Sequence, residues 1–302
     1  MSGGEPVDEL GAPIFSALGK RGDATDHADV VRRRSGLAEL PWQSMERVVK
    51  AFWAKMASAN ILYQDIPGAG TPLVFIHGLG CASSCDYPRV VADTALAGRR
   101  AILVDLLGSG FSERPAEFCY SIEGHARSMA ELIGSVCEGP VSLFGHSMGG
   151  AVAITLAALL GARVEALVLG EPNLEPGGGV FSRAIADMSE GEFVAHGHAE
   201  TVAAARAAGN TVWAASLAIS APFAVHREAA SLIAGCQPTW REMLGDLPMP
   251  KTLLVGERSL PAPEFDGLAD QGCGVAIVPQ AGHSMAWDNP GGLAEAIGKA
   301  TG

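Results

Sequence analysis

Ser147 stands in Gly145-His146-Ser147-Met148-Gly149, directly after the apolar run Val141–Phe144 and directly before a nearly all-apolar stretch that ends at Leu160. A G-x-S-x-G at a strand-to-helix junction puts the serine on a sharp, strained turn with its hydroxyl exposed at the carboxyl edge of a sheet. Gly145 and Gly149 lack side chains where strand and helix approach too closely for them, and Gly150 and Ala151 extend the zone of small residues. A serine hydroxyl is a poor nucleophile until a neighbouring imidazole takes its proton. His283 is placed to do so, in the Gly-containing loop Ala281-Gly282-His283-Ser284-Met285 after the apolar run Val275–Val278. The chemistry to expect is acyl transfer through Ser147. The competing reading is a glycine-rich helix start that happens to include a serine.

The other chemically able residues are less distinctive. His125 falls on a helical stretch, and His196, His198 and His226 fall in a strand-free segment, as solvated or hydrogen-bonded residues. Cys81 and Cys85 are spaced C-x3-C, but no second Cys or His pair follows at zinc spacing, so no metal site is expected. The turn Asp105–Ser112 is glycine-rich but has neither Lys nor Walker spacing. It reads as structural, with Asp105 bonding backbone amides.

These residues are spaced by a regular rhythm. Ala59–Ile66 alternates as a half-buried strand. Pro72–Ile76, Ala101–Val104, Val141–Phe144, Ala166–Leu169, Thr252–Val255 and Val275–Val278 are short apolar runs ending in Gly, Asp or Pro. Runs of this kind fit strands buried on both faces of a parallel sheet. Between them Ser121–Cys137 has helical period with Ser121 as N-cap, Ser147–Leu160 reads as a buried helix, and Asn289-Pro290 opens a terminal helix. Strands alternating with helices predict an α/β domain. From Glu171 to about Trp240 no buried-strand signal occurs. Helical stretches at Thr201–Ala208, Ala214–Ile219 and Arg227–Ala234 predict a helical insert, 172–240, between two sheet segments, 46–171 and 241–302. Residues 1–45 read as a partly disordered extension with a helix near Val30–Leu40.

Composition removes several classes. The chain of 302 residues is 48% apolar and 18% charged, long enough to bury a core without disulfide or metal staples. Its formal charge of −12, with Arg32-Arg33-Arg34 as the densest basic cluster, argues against a nucleic-acid partner. The longest uncharged stretch, Gly139–Ala162, contains Pro140, His146 and Gly149-Gly150, and so is not a membrane span. Six dispersed cysteines and no charged-then-apolar leader suggest a cytoplasmic protein with reduced thiols.

Four motifs in order resemble the α/β-hydrolase family: His77-Gly78-Leu79-Gly80 as its oxyanion loop, Asp105–Ser112 as its D-x-x-G-x-G-x-S turn, Gly145–Gly149 as its nucleophile elbow, and the His283 loop. The resemblance runs from about residue 48 to the end. It implies a mostly parallel eight-stranded sheet with a helical cap, no cofactor, and a serine hydrolase acting on a small-molecule ester. Ser147 would be the nucleophile, His283 the base, and the Leu79 and Met148 amides the oxyanion hole. His77, Gly78, His146, Phe181, Trp213 and Trp287 would border the substrate, although His77 and His146 are more often structural in this family. C–C bond hydrolysis or lyase chemistry with the same residues, or a ligand-binding inactive homologue, would carry the same motifs. The family usually places the acid after the seventh strand in G-x-x-D-x-x-x-P. Here that stretch is Gly256-Glu257-Arg258-Ser259-Leu260-Pro261-Ala262-Pro263, with Ser259 where the Asp should be. Glu171 after the sixth strand is the preferred substitute, Glu257 the second, and Asp266 is expected in the next helix.

Overall fold

The computed structural model describes residues 49–302, so the extension assigned to 1–45 and the helix near Val30–Leu40 lie outside the described residues. Eight strands form one sheet: β1 (Val49–Ala54), β2 (Ala59–Ile66), β3 (Ala69–Ile76), β4 (Arg99–Val104), β5 (Val141–His146), β6 (Val164–Gly170), β7 (Lys251–Gly256) and β8 (Cys273–Val278). Their order is β1-β2-β4-β3-β5-β6-β7-β8. Strand β2 runs antiparallel to both neighbours, and every other pairing is parallel. The chain reverses its direction across the sheet between β4 and β5, which lie on opposite sides of β3. A cleft opens at the carboxyl ends of the strands beside such a reversal.

Central strands carry continuous apolar runs because both faces are covered: Val74–Ile76, Ile102–Val104 and Leu167–Leu169 are fully buried. Strand β8 departs from that expectation. It is the sheet's edge, and Val275 and Ile277 are about half exposed, at 51% and 44%. Its apolar run therefore marks a strand without marking two covered faces.

The helices follow their local signals. Ser121 accepts from Gly124 N at 3.0 Å and caps Ile122–Val136. Asn289 accepts from Gly292 N at 2.9 Å and caps Pro290–Thr301, with Pro290 in the first turn. The helix Met148–Leu160 is buried on nearly all sides, between the sheet and its neighbours. Between β6 and β7 the regular elements are all helical, principally Val180–Ala186, His198–Ala207, Thr211–Ile219, Pro222–Ala234 and Trp240–Asp246. Three of these begin earlier than the sequence suggested, because their first turns carry mixed residues that show no apolar period. The short helix Val180–Ala186 was hidden behind Gly177-Gly178-Gly179.

The insert is tied to the sheet domain by a buried polar pair. His125 Nε2 on Ile122–Val136 lies 3.0 Å from Glu228 Oε1 on Pro222–Ala234, with both side chains fully buried. Truncating one member leaves the other buried without its partner. Glu228→Ala is therefore expected to lower stability by about 3 kcal/mol. Glu123→Ala, which removes the exposed pair with Arg127, should cost under about 0.5 kcal/mol. Urea unfolding of both variants checks this; equal losses would contradict it. Among the described residues no helix is long and apolar enough to cross a membrane.

Candidate active site

Ser147 follows β5 and is the N-cap of Met148–Leu160, with φ 55° and ψ −120°. This left-handed conformation is unfavourable for a residue with a Cβ and persists only where the surroundings impose it. Here the constraint is close packing. A Cβ on Gly145 would lie 2.3 Å from Gly149 O, and one on Gly149 would lie 2.3 Å from Ile76 O. The turn is also clipped to the end of β6: Ser147 N donates to Gly170 O at 2.9 Å, and Asn173 N donates to Ser147 O at 3.2 Å.

Glu171 is the next residue along that edge and also has positive φ, 41°. In register His146 pairs with Gly170 and Gly170 with Leu254, so the ends of β5, β6 and β7 lie side by side. Glu171 Oε1 accepts from Gly256 N at 2.9 Å, and Oε2 lies 2.6 Å from His283 Nδ1. Burial by itself would raise this carboxyl. The hydrogen bonds from His283 and the Gly256 N–H, with the nearby Ser259 hydroxyl, outweigh it and hold the group down at about 2. An ionised Glu171 can only accept, so His283 Nδ1 carries the proton and Nε2 is left as the acceptor. Ser259, at the position where the family pattern has aspartate, thus lies near the carboxylate arriving from the neighbouring strand and helps keep it ionised. That role was not visible in sequence. The signal was the missing charge at Ser259.

The other candidate acids point elsewhere. Glu257 is exposed and accepts from Gln280 N at 2.7 Å. Asp266 is exposed just after a single 3-10 turn, Pro263–Phe265, rather than in a helix.

The histidines beside the serine differ in their surroundings. His146 Nε2 lies 2.7 Å from the His283 carbonyl and donates to it, and the two rings are 4.6 Å apart. Burial, then the neighbouring His283 imidazole, hold the His146 imidazole down at about 3. It is neutral and fixes the backbone of the His283 loop. His77, expected at the pocket, is not there. Its ring is fully buried. Nδ1 donates to Gly78 O at 2.8 Å, and Nε2 accepts from Leu106 N at 3.0 Å. Both nitrogens are spent on holding the loop after β3 against the loop after β4. The Asp105 turn is structural too, its carboxylate accepting from Ser84 N, Ser84 Oγ and Phe111 N.

A cavity of about 950 Å³ opens over Ser147 and His283. Gly78, His146, Phe181, Trp213 and Trp287 line it, and so does Leu79. Met148 opens its helix, so its amide has no carbonyl one turn earlier to bond. Trp213 Nε1 donates to Leu79 O at 2.9 Å, tying the insert to the turn after β3. Phe181 packs against Trp213, the ring centroids 4.6 Å apart and the planes tilted by 45°.

The sheet order, the parallel centre and the strained serine turn define an α/β-hydrolase fold. Residues 73–296 match the alpha/beta hydrolase family, and the chain belongs to it. A stretch of 103 residues is 34% identical to 2-hydroxy-6-oxo-2,4-heptadienoate hydrolase from Pseudomonas putida, covering 34% of this chain and 37% of that protein. Another match, 119 residues at 33% identity, is to haloalkane dehalogenase 2 from Mycobacterium tuberculosis, covering 39% of this chain and 40% of that one. The matches thus span well under half the length of these curated relatives. Among solved structures, a thermophilic esterase from Thermogutta terrifontis is similar in fold, with TM-score 0.68 at 20% identity over 84% of this chain and 99% of that chain.

Proposed function

We propose that this protein is a serine hydrolase that cleaves a carboxylic ester through an acyl-enzyme. The observation that carries the reading is the 2.6 Å contact between Glu171 and His283 Nδ1, in the cavity that also holds the strained Ser147 turn. Glu171 holds His283 in the tautomer with Nε2 unprotonated. Nε2 takes the Ser147 proton as Oγ attacks the ester carbonyl carbon. The Leu79 and Met148 amides stabilise the charge on the carbonyl oxygen, each worth about 3 kcal/mol. The same proton then passes to the departing alcohol oxygen, and water repeats the sequence on the acyl-enzyme.

C–C bond hydrolysis is the second reading, because one relative is named for a dienoate, which carries a carboxylate. The charge of the cavity favours the ester. Asp86, Glu171, Glu175, Glu264 and Asp288 line it against one cationic side chain, Arg183. That guanidinium already donates to Gly177 O and Gly178 O. Labelling by a fluorophosphonate tests whether Ser147 is activated, and an inert serine would support a ligand-binding protein instead. Comparing p-nitrophenyl esters with vinylogous diketones separates the two enzymatic readings, and turnover of the diketones alone would replace the ester proposal.

The insert from 172 to 240 acts in this reading as a lid that selects substrate size. Phe181→Ala and Trp213→Phe are expected to shift acyl-length preference toward longer chains more than they change the rate on the shortest ester. A panel of p-nitrophenyl esters of increasing acyl length checks this. An unchanged preference in both variants would make the insert purely structural.

A further inference from the structure

The cavity has a second polar wall that the proposed chemistry leaves unused. It lies beyond the turn Gly78–Cys81, where Cys81 N donates to Gly78 O at 3.1 Å. The short helix Ser83–Asp86 follows. Its last residue, Asp86, and the next, Tyr87, line the cavity together with Cys81 and Trp287.

Two features of this wall are costly for the protein alone. Asp86 is 8% exposed. Its Oδ1 accepts from Trp287 Nε1 at 3.0 Å, and no ion pair among the described residues includes it. Burial raises its carboxyl above the ordinary range, although Trp287 donates to it. Tyr87 is 1% exposed, its ring packed 5.0 Å from that of Phe75 and 5.6 Å from that of Phe144. The hydroxyl is buried and has no hydrogen-bond partner among the described residues. Burial, then the neighbouring Asp86 carboxylate, push this hydroxyl well above its ordinary range. An unpaired buried hydroxyl costs about 1–3 kcal/mol, and phenylalanine would fill the same ring space without that cost. A carboxyl group without a countercharge and a hydroxyl without a partner, at one end of a cavity, are complementary to a donor.

We propose that Asp86 and Tyr87, flanked by Cys81 and Trp287, hold a small hydrogen-bond-donating head group of the substrate, a hydroxyl or an alkylammonium, while its carbonyl is presented to Ser147. The proposal rests on the ester reading above and names the chemical class of that ester. An alkylammonium gives one hydrogen bond to Asp86 and one to the Tyr87 oxygen, whereas a hydroxyl donates to Asp86 and accepts from the Tyr87 hydroxyl. A methyl group in its place would leave both unpaired.

The test uses matched esters in a pH-stat at neutral pH. One set is methyl hexanoate, methyl 6-hydroxyhexanoate and methyl 6-aminohexanoate; the other is hexyl acetate with its 6-hydroxy and 6-amino counterparts. In at least one set, a hydroxy- or amino-ended ester should exceed its methyl-ended partner in kcat/KM by roughly tenfold, the equivalent of one good hydrogen bond. Tyr87→Phe and Asp86→Asn should each reduce that ratio to within about twofold. Damage to the fold would lower all rates and leave the ratio intact. The proposal is overturned by equal rates across both wild-type sets, by a preference for the methyl-ended esters, or by a ratio that survives in both variants. Should the wild type hydrolyse none of the six, the ester reading fails, and the subsite is judged by calorimetry. Binding of 6-aminohexanamide and 6-hydroxyhexanamide would then have to exceed that of hexanamide in the wild type and lose its advantage in Tyr87→Phe. Equal affinities would overturn the subsite as well.

Discussion

Ser147→Ala is expected to fold as the parent does and to lose ester turnover by about 10⁴- to 10⁶-fold. The serine contributes the only protein atom in the proposed pathway that forms a covalent bond to the substrate's acyl carbon. Its backbone strain is unaffected, because alanine at φ 55° meets the same Cβ restriction. The thermal midpoint should therefore move little, which separates loss of chemistry from loss of fold. Initial rates on a short p-nitrophenyl ester, with circular dichroism melts of the same preparations, check both parts. Turnover within tenfold of the parent in a folded variant would remove Ser147 from the mechanism.

Glu171→Gln is expected to reduce turnover by about 10²- to 10⁴-fold, since an amide neither enforces the His283 tautomer nor stabilises the imidazolium. Glu257→Gln should do far less, because Glu257 serves Gln280 N at the surface. The reverse ranking would place the acid in the loop after β7. The same variant should change acid stability in a defined direction. The folded carboxyl is held at about 2, against an ordinary value of 4.5. A lowered folded value means that the ionised group stabilises the fold above about pH 4.5, and that this contribution disappears as pH falls toward 2. The parent should therefore exceed Glu171→Gln in stability at neutral pH, and the gap should close across that window. A gap that stays constant from neutral pH down to about pH 2 would show that the carboxylate charge is not what stabilises the fold there.

Much of the fold was legible because its signals are local. Four- and five-residue apolar runs identify strands, and Ser121 and Asn289 cap helices through bonds to amides three residues on. The serine turn was legible for the same reason: strand, glycine, serine, glycine and helix are consecutive. Less was legible wherever burial depends on neighbours. The run in β8 has the same composition as the central strands, yet the edge position leaves Val275 and Ile277 exposed. His77 and His146 are both next to glycines on the same strand edge. Only the packed loops decide that one ring is spent on backbone and the other faces the cavity.

The residue types and their order determined on their own the α/β class, the helical insert after the sixth strand, and the serine and histidine to consider. Each of those rests on a pattern contained within a few consecutive residues. The partner of His283 was narrowed by sequence to a few carboxylates and no further. Glu171 and His283 are more than a hundred positions apart, and their 2.6 Å contact exists only because β5, β6 and β7 end at the same level. The tertiary structure also decided that Asp86 and Tyr87 line the same cavity as Ser147 and His283. A hydrogen bond requires heavy atoms within about 3 Å, and side chains from separate loops are held that close only by the packing of the strands that carry them.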